Sequence, residues 1–279
     1  MATTMRSVQQ WNLGDIAYED IRPRPWLKPE PWLLYLLASA SFVEITSNLY
    51  ESALVNFFQA DREVTGWLHE HWLPEELQHG VALKRYVNTV WPEFDWDPAY
   101  QNFYQEYSQC CQVKVLGPTW VLEMASRCVV ETGTASLYTM LQRLVREPVL
   151  RQLAWRIRND EIGHYQHFYS YFSRFREQKP TGSYALARAL WRRISEIDQE
   201  DGYYAFKHVF TACHPERVFN DDDYRTFCGH YKSLAREYYP FTMAAKMLLK
   251  PLGLQSWASR LAVPLISAGA RRLCARSSM

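Results

Sequence analysis

The sequence predicts an all-α fold, on three observations. Glycine is scarce, 11 of 279 residues, and long stretches lack Gly and Pro, which favours helices over turn-rich β structure. Apolar residues dominate segments too long for strands, most clearly Trp32 to Gln59. The third observation is a repeated Glu-x-x-His pair, Glu76/His79 and Glu161/His164. On a helix, residues i and i+3 share a face, so a carboxylate and an imidazole at that spacing can meet one metal ion. One such pair is a weak signal. Two pairs, each with a further Glu upstream, make up the side-chain set of a helical bundle that holds two metal ions.

Composition narrows the function classes. The formal net charge is +1, so no global electrostatic case exists for nucleic acid. The N-terminus shows no basic region followed by an apolar core, and no apolar stretch reads as a full membrane span. Residues 251–270 come closest, interrupted by Gln255, Ser256, Ser259 and Arg260. The six cysteines have no Cys-x-x-Cys spacing, and reduced thiols in a cytoplasmic protein are the simplest reading.

Residues 1–31 read as an extended N-terminal arm, because Pro23, Pro25, Pro29 and Pro31 oppose a helix; Trp26 is a candidate to pin it down. Residues 32–279 read as one domain, with a metal-binding core at 32–177 and accessory helices at 183–274. The core helices are expected at 32–59, 61–90, 97–113, 119–146 and 149–177. Glu44 stands out in the first, since a lone buried carboxylate is costly unless paired or metal-bound. Pro74 falls inside the second and predicts a local distortion just before Glu76. Lys179-Pro180-Thr181-Gly182 breaks the chain. Helices then follow at 183–198, 201–213, 221–249 and 253–274. The last carries Arg260, Arg271, Arg272 and Arg276 beside apolar residues. That combination can touch an acidic partner or a membrane surface; a helix packed on the bundle with a solvated basic edge is the simpler expectation.

Two residues of a helical hairpin meet when they lie equally far from its turn. Glu131 precedes Glu147 by 16 residues and Glu161 follows it by 14, so at ~1.5 Å per residue both sit about 21–24 Å from that turn. Glu44 and Glu76 lie 16 residues either side of Ala60. The candidate metal ligands are therefore Glu44, Glu76, His79, Glu131, Glu161 and His164. Four carboxylates and two imidazoles, with a charge of about −4, suit two divalent ions, and hard oxygen donors with imidazole favour iron or manganese. Glu75 and Asp160 are expected behind the ligands, each accepting the second N–H of the histidine on the opposite hairpin. Glu51, on the same helix face as Glu44, is an alternative first ligand. Glu123 is expected to pair with Arg127. His69, His71, His167, His208, His214 and His230 are expected at surface or structural positions. Tyr50 and Tyr138 are candidates to lie near the metals, with core packing the simpler role.

Over about residues 32–175 the chain resembles the ferritin-like di-iron carboxylate superfamily. Within it, Trp72-Leu-Pro-Glu75-Glu76-Leu-Gln-His79-Gly80 is similar to the Trp-x-x-Glu-Glu-x-x-His-Gly stretch of soluble acyl-carrier-protein desaturases, and Asp160-Glu161-Ile-Gly-His164 to their Asp-Glu-x-x-His. The Glu44-to-Glu76 interval is shorter than in plant-type desaturases, and residues after 180 do not match. The resemblance implies a ferritin-like four-helix bundle with added C-terminal helices, and a non-heme di-iron oxidoreductase. Two iron ions, or manganese, would be the cofactor, O2 the co-substrate, and metal ligands the only catalytic groups. It further implies a small-molecule or carrier-bound acyl substrate, an external electron donor and a possible homodimer. Desaturation or hydroxylation is the first expectation; an N-oxygenase-type tailoring enzyme and an iron-handling ferritin-like protein are the alternatives.

Overall fold

A computed structural model describes residues 11–21, 31–110, 116–196 and 201–276. All regular structure among them is helical. The all-α expectation therefore holds.

Helix α1 spans Pro31–Ile45 and α2 spans Ser47–Phe57. Pro31 opens α1, a position where the missing N–H costs nothing. A single helix was expected over 32–59. The break falls at Thr46, whose amide is shared between the Phe42 and Val43 carbonyls at 3.2 and 3.1 Å, the tightened turn common at helix ends. Pro31–Phe57 is also long and apolar enough to cross a membrane by length and composition, against the expectation that no stretch is. Most of its apolar window is buried inside the protein.

Asp61 caps α3, Arg62–Trp67, by accepting from the Val64 amide. Leu68–Trp72 then winds as a π-turn into α4, Leu73–Val90. This is the distortion that Pro74 predicted. Proline lacks an N–H and its ring crowds the carbonyl four residues back, and a wider turn relieves both. Helix α5 covers Trp96–Cys110. Thr119 caps α6, Trp120–Leu144, and Glu147 caps α7, Pro148–Gln178, by accepting from the Val149 and Leu150 amides.

Four helices carry the functional residues. Helix α1 packs on α4, α6 on α7, and α4 meets α7. Both pairs run antiparallel: Glu44 lies beside His79 and Ser47 beside Glu76, while Glu131 lies beside His164 and Thr134 beside Glu161. Gly80 sets the distance between α1 and α4. A Cβ there would stand 2.4 Å from Ile45 Cγ1 and 2.7 Å from Ile45 N, so only glycine permits the approach.

Five further helices surround this core: α8 Ser183–Glu196, α9 Asp201–Cys213, α10 Asp221–Tyr238, α11 Phe241–Leu249 and α12 Ser256–Arg276. Helix α9 packs on α1 and α5, α8 and α11 on α6, and α12 on α10 and α11. The expected helix at 221–249 is two helices. Pro240 divides them, as its missing N–H dictates.

Residues 11–21 differ from the expected extended arm. They form two 3₁₀ turns, Leu13–Asp15 and Tyr18–Asp20, and bury Trp11, Ile16, Tyr18 and Ile21. Asn12 caps the first turn. Pro23, Pro25, Pro29 and Trp26, the candidate to pin the arm down, lie outside the described residues.

Candidate metal centre

The six sequence-selected residues converge at one level of the four core helices, and all are buried. Glu44 comes from the last turn of α1, Glu76 and His79 from the first turns of α4, Glu131 from the middle of α6, and Glu161 and His164 from the middle of α7. They form two groups whose potential ligand atoms lie within 4.8 Å of one another: Glu44, Glu76, His79 and Glu161, and Glu76, Glu131, Glu161 and His164. Glu76 and Glu161 belong to both. Arranged in this way, the groups can hold metal ions.

Both imidazoles present Nδ1 to the cluster and Nε2 away from it. His79 Nδ1 lies 3.2 Å from Glu161 Oε1, and His164 Nδ1 lies 3.1 Å from Glu76 Oε1. None of these four atoms makes an aligned hydrogen bond. Buried polar atoms left in this state are costly, and a cation held in each group would satisfy them. On the far side, His79 Nε2 is 3.0 Å from Asp160 Oδ2, and His164 Nε2 is 2.7 Å from Glu75 Oε2. Each histidine is thus backed by the carboxylate of the opposite hairpin. With an ion bound, that partner would keep the proton on Nε2 and leave the Nδ1 lone pair for the metal.

Burial lifts the Glu44 carboxyl well above its usual range, helped by Glu76 and Glu161. Burial likewise lifts Glu131, against the pull of His164. Desolvation would depress both histidines, but the carboxylates around them win: Asp160, Glu161 and Glu44 raise His79, and Glu131, Glu161, Glu75 and Glu76 raise His164. Glu161 moves down, as does Glu75 beside His164. The burial of Glu161 is outweighed by both histidines. Protons here take the place of cations, as expected where carboxylates and imidazoles are concentrated in a dry interior.

Further residues contact the cluster; of these Tyr138 was among the expected candidates, and Thr134, Ser47 and Trp11 were not. The Tyr138 hydroxyl, fully buried, donates to Glu44 Oε1 at 2.5 Å; seven residues after Glu131, it lies on the same helix face, a spacing that could have promoted it above core packing. Thr134 Oγ1 donates to Glu161 Oε2 at 2.7 Å and Ser47 Oγ to Glu76 Oε2 at 3.4 Å. Both follow a cluster glutamate by three residues, so the same rule would have found them. Trp11 had no such signal. Its indole N–H donates to Asp160 Oδ2 at 2.6 Å, its carbonyl accepts from Gln78 Nε2 at 3.0 Å, and its ring stacks on His79 at 6.2 Å. Trp11, Asp160 and His79 form a line running from the N-terminal segment into the cluster. A cleft of about 340 Å³ opens beside it, lined by residues including Glu70, His71, Glu75 and Asp160.

The alternatives fall elsewhere. Glu51 contacts His69 Nδ1 at 3.1 Å rather than the cluster. Tyr50 meets the Tyr107 hydroxyl. Glu123 pairs with Arg127 at 2.8 Å. His167 stacks on Trp67, His208 contacts Glu106, His214 contacts Tyr35, and His230 lies against Trp32. His69 and His71 are exposed. Compared with known proteins, the chain matches no family model, no curated protein and no solved structure. Its function must be argued from the geometry of the cluster.

Proposed function

We propose that this protein is a non-heme di-iron oxidoreductase of ferritin-like architecture, which activates O2 against an organic substrate of acyl type. The observation that carries the reading is the pairing of two four-residue groups through Glu76 and Glu161, each group completed by one glutamate and one histidine. Bound there, two Fe(II) ions would supply the electrons that reduce O2 to an oxidant able to remove hydrogen from a substrate or insert oxygen into it. A mononuclear site would need only three of these donors and would leave three buried acid or imidazole groups unsatisfied.

The chain's own residues do four things in this scheme. Glu76 and Glu161 are shared between the two positions, while Glu44 with His79 and Glu131 with His164 complete them separately. Asp160 and Glu75 hold the histidine protons at Nε2. Thr134, Ser47 and Tyr138 donate to Glu161, Glu76 and Glu44 and so restrict carboxylate rotation. The surrounding apolar helices exclude water, which protects a reactive oxidant from side reactions. An external electron donor and a cytoplasmic location complete the proposal. Desaturation or hydroxylation is the expected outcome.

The test is anaerobic Fe(II) loading followed by O2 uptake with a panel of acyl and arylamine substrates. Two irons per chain and substrate-dependent O2 consumption support the reading. No bound iron would sink it. Turnover of arylamines alone would reassign it to N-oxygenation. O2 uptake without any substrate, in a large hollow assembly on size-exclusion chromatography, would reassign it to iron handling.

A further inference from the structure

The C-terminal helix faces the wrong way for a helix that only completes a core. Helix α12 packs on α10 and α11, with Val263 buried. Its opposite face carries Trp257, Leu261 and Leu265, which are 59%, 62% and 73% exposed. Their i, i+4, i+8 spacing aligns them in one stripe. Pro264 and Ala268 continue the apolar strip, and Arg260, Arg271 and Arg272 are exposed along it. An outward stripe of this size on a soluble domain marks an interaction surface.

Charge identifies the partner. The chain as a whole has a net charge of +1, yet six basic and no acidic residues follow Glu237. The N-terminal half of the same region adds to it: the turn Lys250–Leu252 packs against α8, whose outward residues Tyr184, Arg188 and Trp191 repeat the mixture of aromatic and arginine. A second copy of α12 would bring its arginines against those of the first with no acid on the face to neutralise them. Nucleic acid would use the arginines and leave the leucines without a partner. An anionic lipid surface uses both: phosphates attract the arginines while Trp257, Leu261 and Leu265 enter the headgroup–acyl boundary.

We propose that α12 is a peripheral membrane-docking helix that places the protein on an anionic lipid surface, with Trp257, Leu261 and Leu265 inserted and Arg260 and Arg272 on the headgroup phosphates. The proposal does not depend on the metal centre. It adds a partner to the molecule: a bilayer on which an apolar substrate would also be concentrated.

Cosedimentation of the full chain with vesicles tests it. One set is phosphatidylcholine alone; the other is equal parts phosphatidylcholine and phosphatidylglycerol. The protein should bind the mixed vesicles, less as salt is raised, and bind phosphatidylcholine weakly. Leu261→Glu with Leu265→Glu should reduce partitioning by about tenfold or more. Arg260→Ala and Arg272→Ala should each cost about fivefold. All four positions are exposed, and an unchanged helical circular dichroism spectrum confirms folding; the arginine variants supply an independent reading if the leucine pair disturbs it. No binding to mixed vesicles at low salt overturns the proposal, as does equal binding by wild type and variants. A wild-type dimer that Leu261→Glu with Leu265→Glu dissociates also overturns it, because a second copy then covers the stripe.

Discussion

The two hairpins deliver the same chemistry through unlike backbones. In the α6–α7 hairpin, Glu131, Glu161 and His164 sit mid-helix in two unbroken helices of 25 and 31 residues. In the α1–α4 hairpin every cluster residue lies next to an irregularity. Glu44 comes just before the break at Thr46. Glu76 and His79 follow a π-turn and Pro74. Gly80 allows the closest approach to α1. Trp11 reaches across from the N-terminal segment to secure the Asp160 that backs His79. The regular hairpin presents its donors from continuous helices, and the irregular one presents them beside breaks in helix geometry. Strain and bulges gather where a side chain must be aimed against local preference.

Substitutions at the cluster give the largest expected effect. Glu161→Ala, which removes a residue common to both groups, should abolish metal binding, while Glu44→Ala should leave the second group with all four of its residues. Metal content per chain distinguishes them, and equal loss in both would mean that the two groups do not act separately.

Glycines should separate the hairpins next. Gly80→Ala must push apart the α1 and α4 backbones and should cost about 1–3 kcal/mol, with metal lost alongside. Gly133→Ala, beside Glu131 on α6, meets nothing within 4 Å and should stabilise the protein by about 0.5–1 kcal/mol through helix propensity. Urea denaturation reads both.

Trp11→Phe keeps the stacked ring but removes the donor to Asp160. It should weaken metal binding by roughly tenfold, chiefly at the His79 position. Unchanged affinity would show that Asp160 holds His79 unaided.

The smallest effect is on pH dependence. In the metal-free protein, His79 and His164 have pKa values above the usual 6.5, and Glu44 and Glu131 above 4.5. The folded chain therefore holds protons that the unfolded chain releases. Their stabilisation is complete below the unfolded values and lost as pH rises through the folded ones. Glu161, shifted down, works in the opposite window and loses stability as pH falls below 4.5. Metal-free protein should thus melt lower at about pH 8 than at about pH 6. Metal displaces those protons and should stabilise more at the higher pH. A melting temperature independent of pH in the metal-free protein would remove the protonated cluster from this account.

Much of the centre was legible because its signals are local. Glu-x-x-His is an i, i+3 spacing, and equal distances from Ala60 and Glu147 use only helix rise. The crossed pairing of Asp160 with His79 and Glu75 with His164 followed from the same symmetry. Pro74 announced the distortion. Pro240 announced the division of α10 from α11 equally plainly, and the long apolar run around it concealed the signal. Thr46 was illegible, since threonine often continues a helix, as Thr132 and Thr139 do in α6 with the same hydroxyl bond to the carbonyl four residues back.

Sequence by itself determined the helical class, the distortion before Glu76 and the identity of the clustered donors, because each depends on chemistry between residues a few positions apart. Tertiary structure alone decided three things. It brought Trp11 to Asp160, 149 positions away. It took Glu51 out of the cluster and gave it to His69. It turned the apolar side of α12 outward. In each case the outcome depended on which helix packs against which, and that choice is made by the whole set of buried faces rather than by any local pattern.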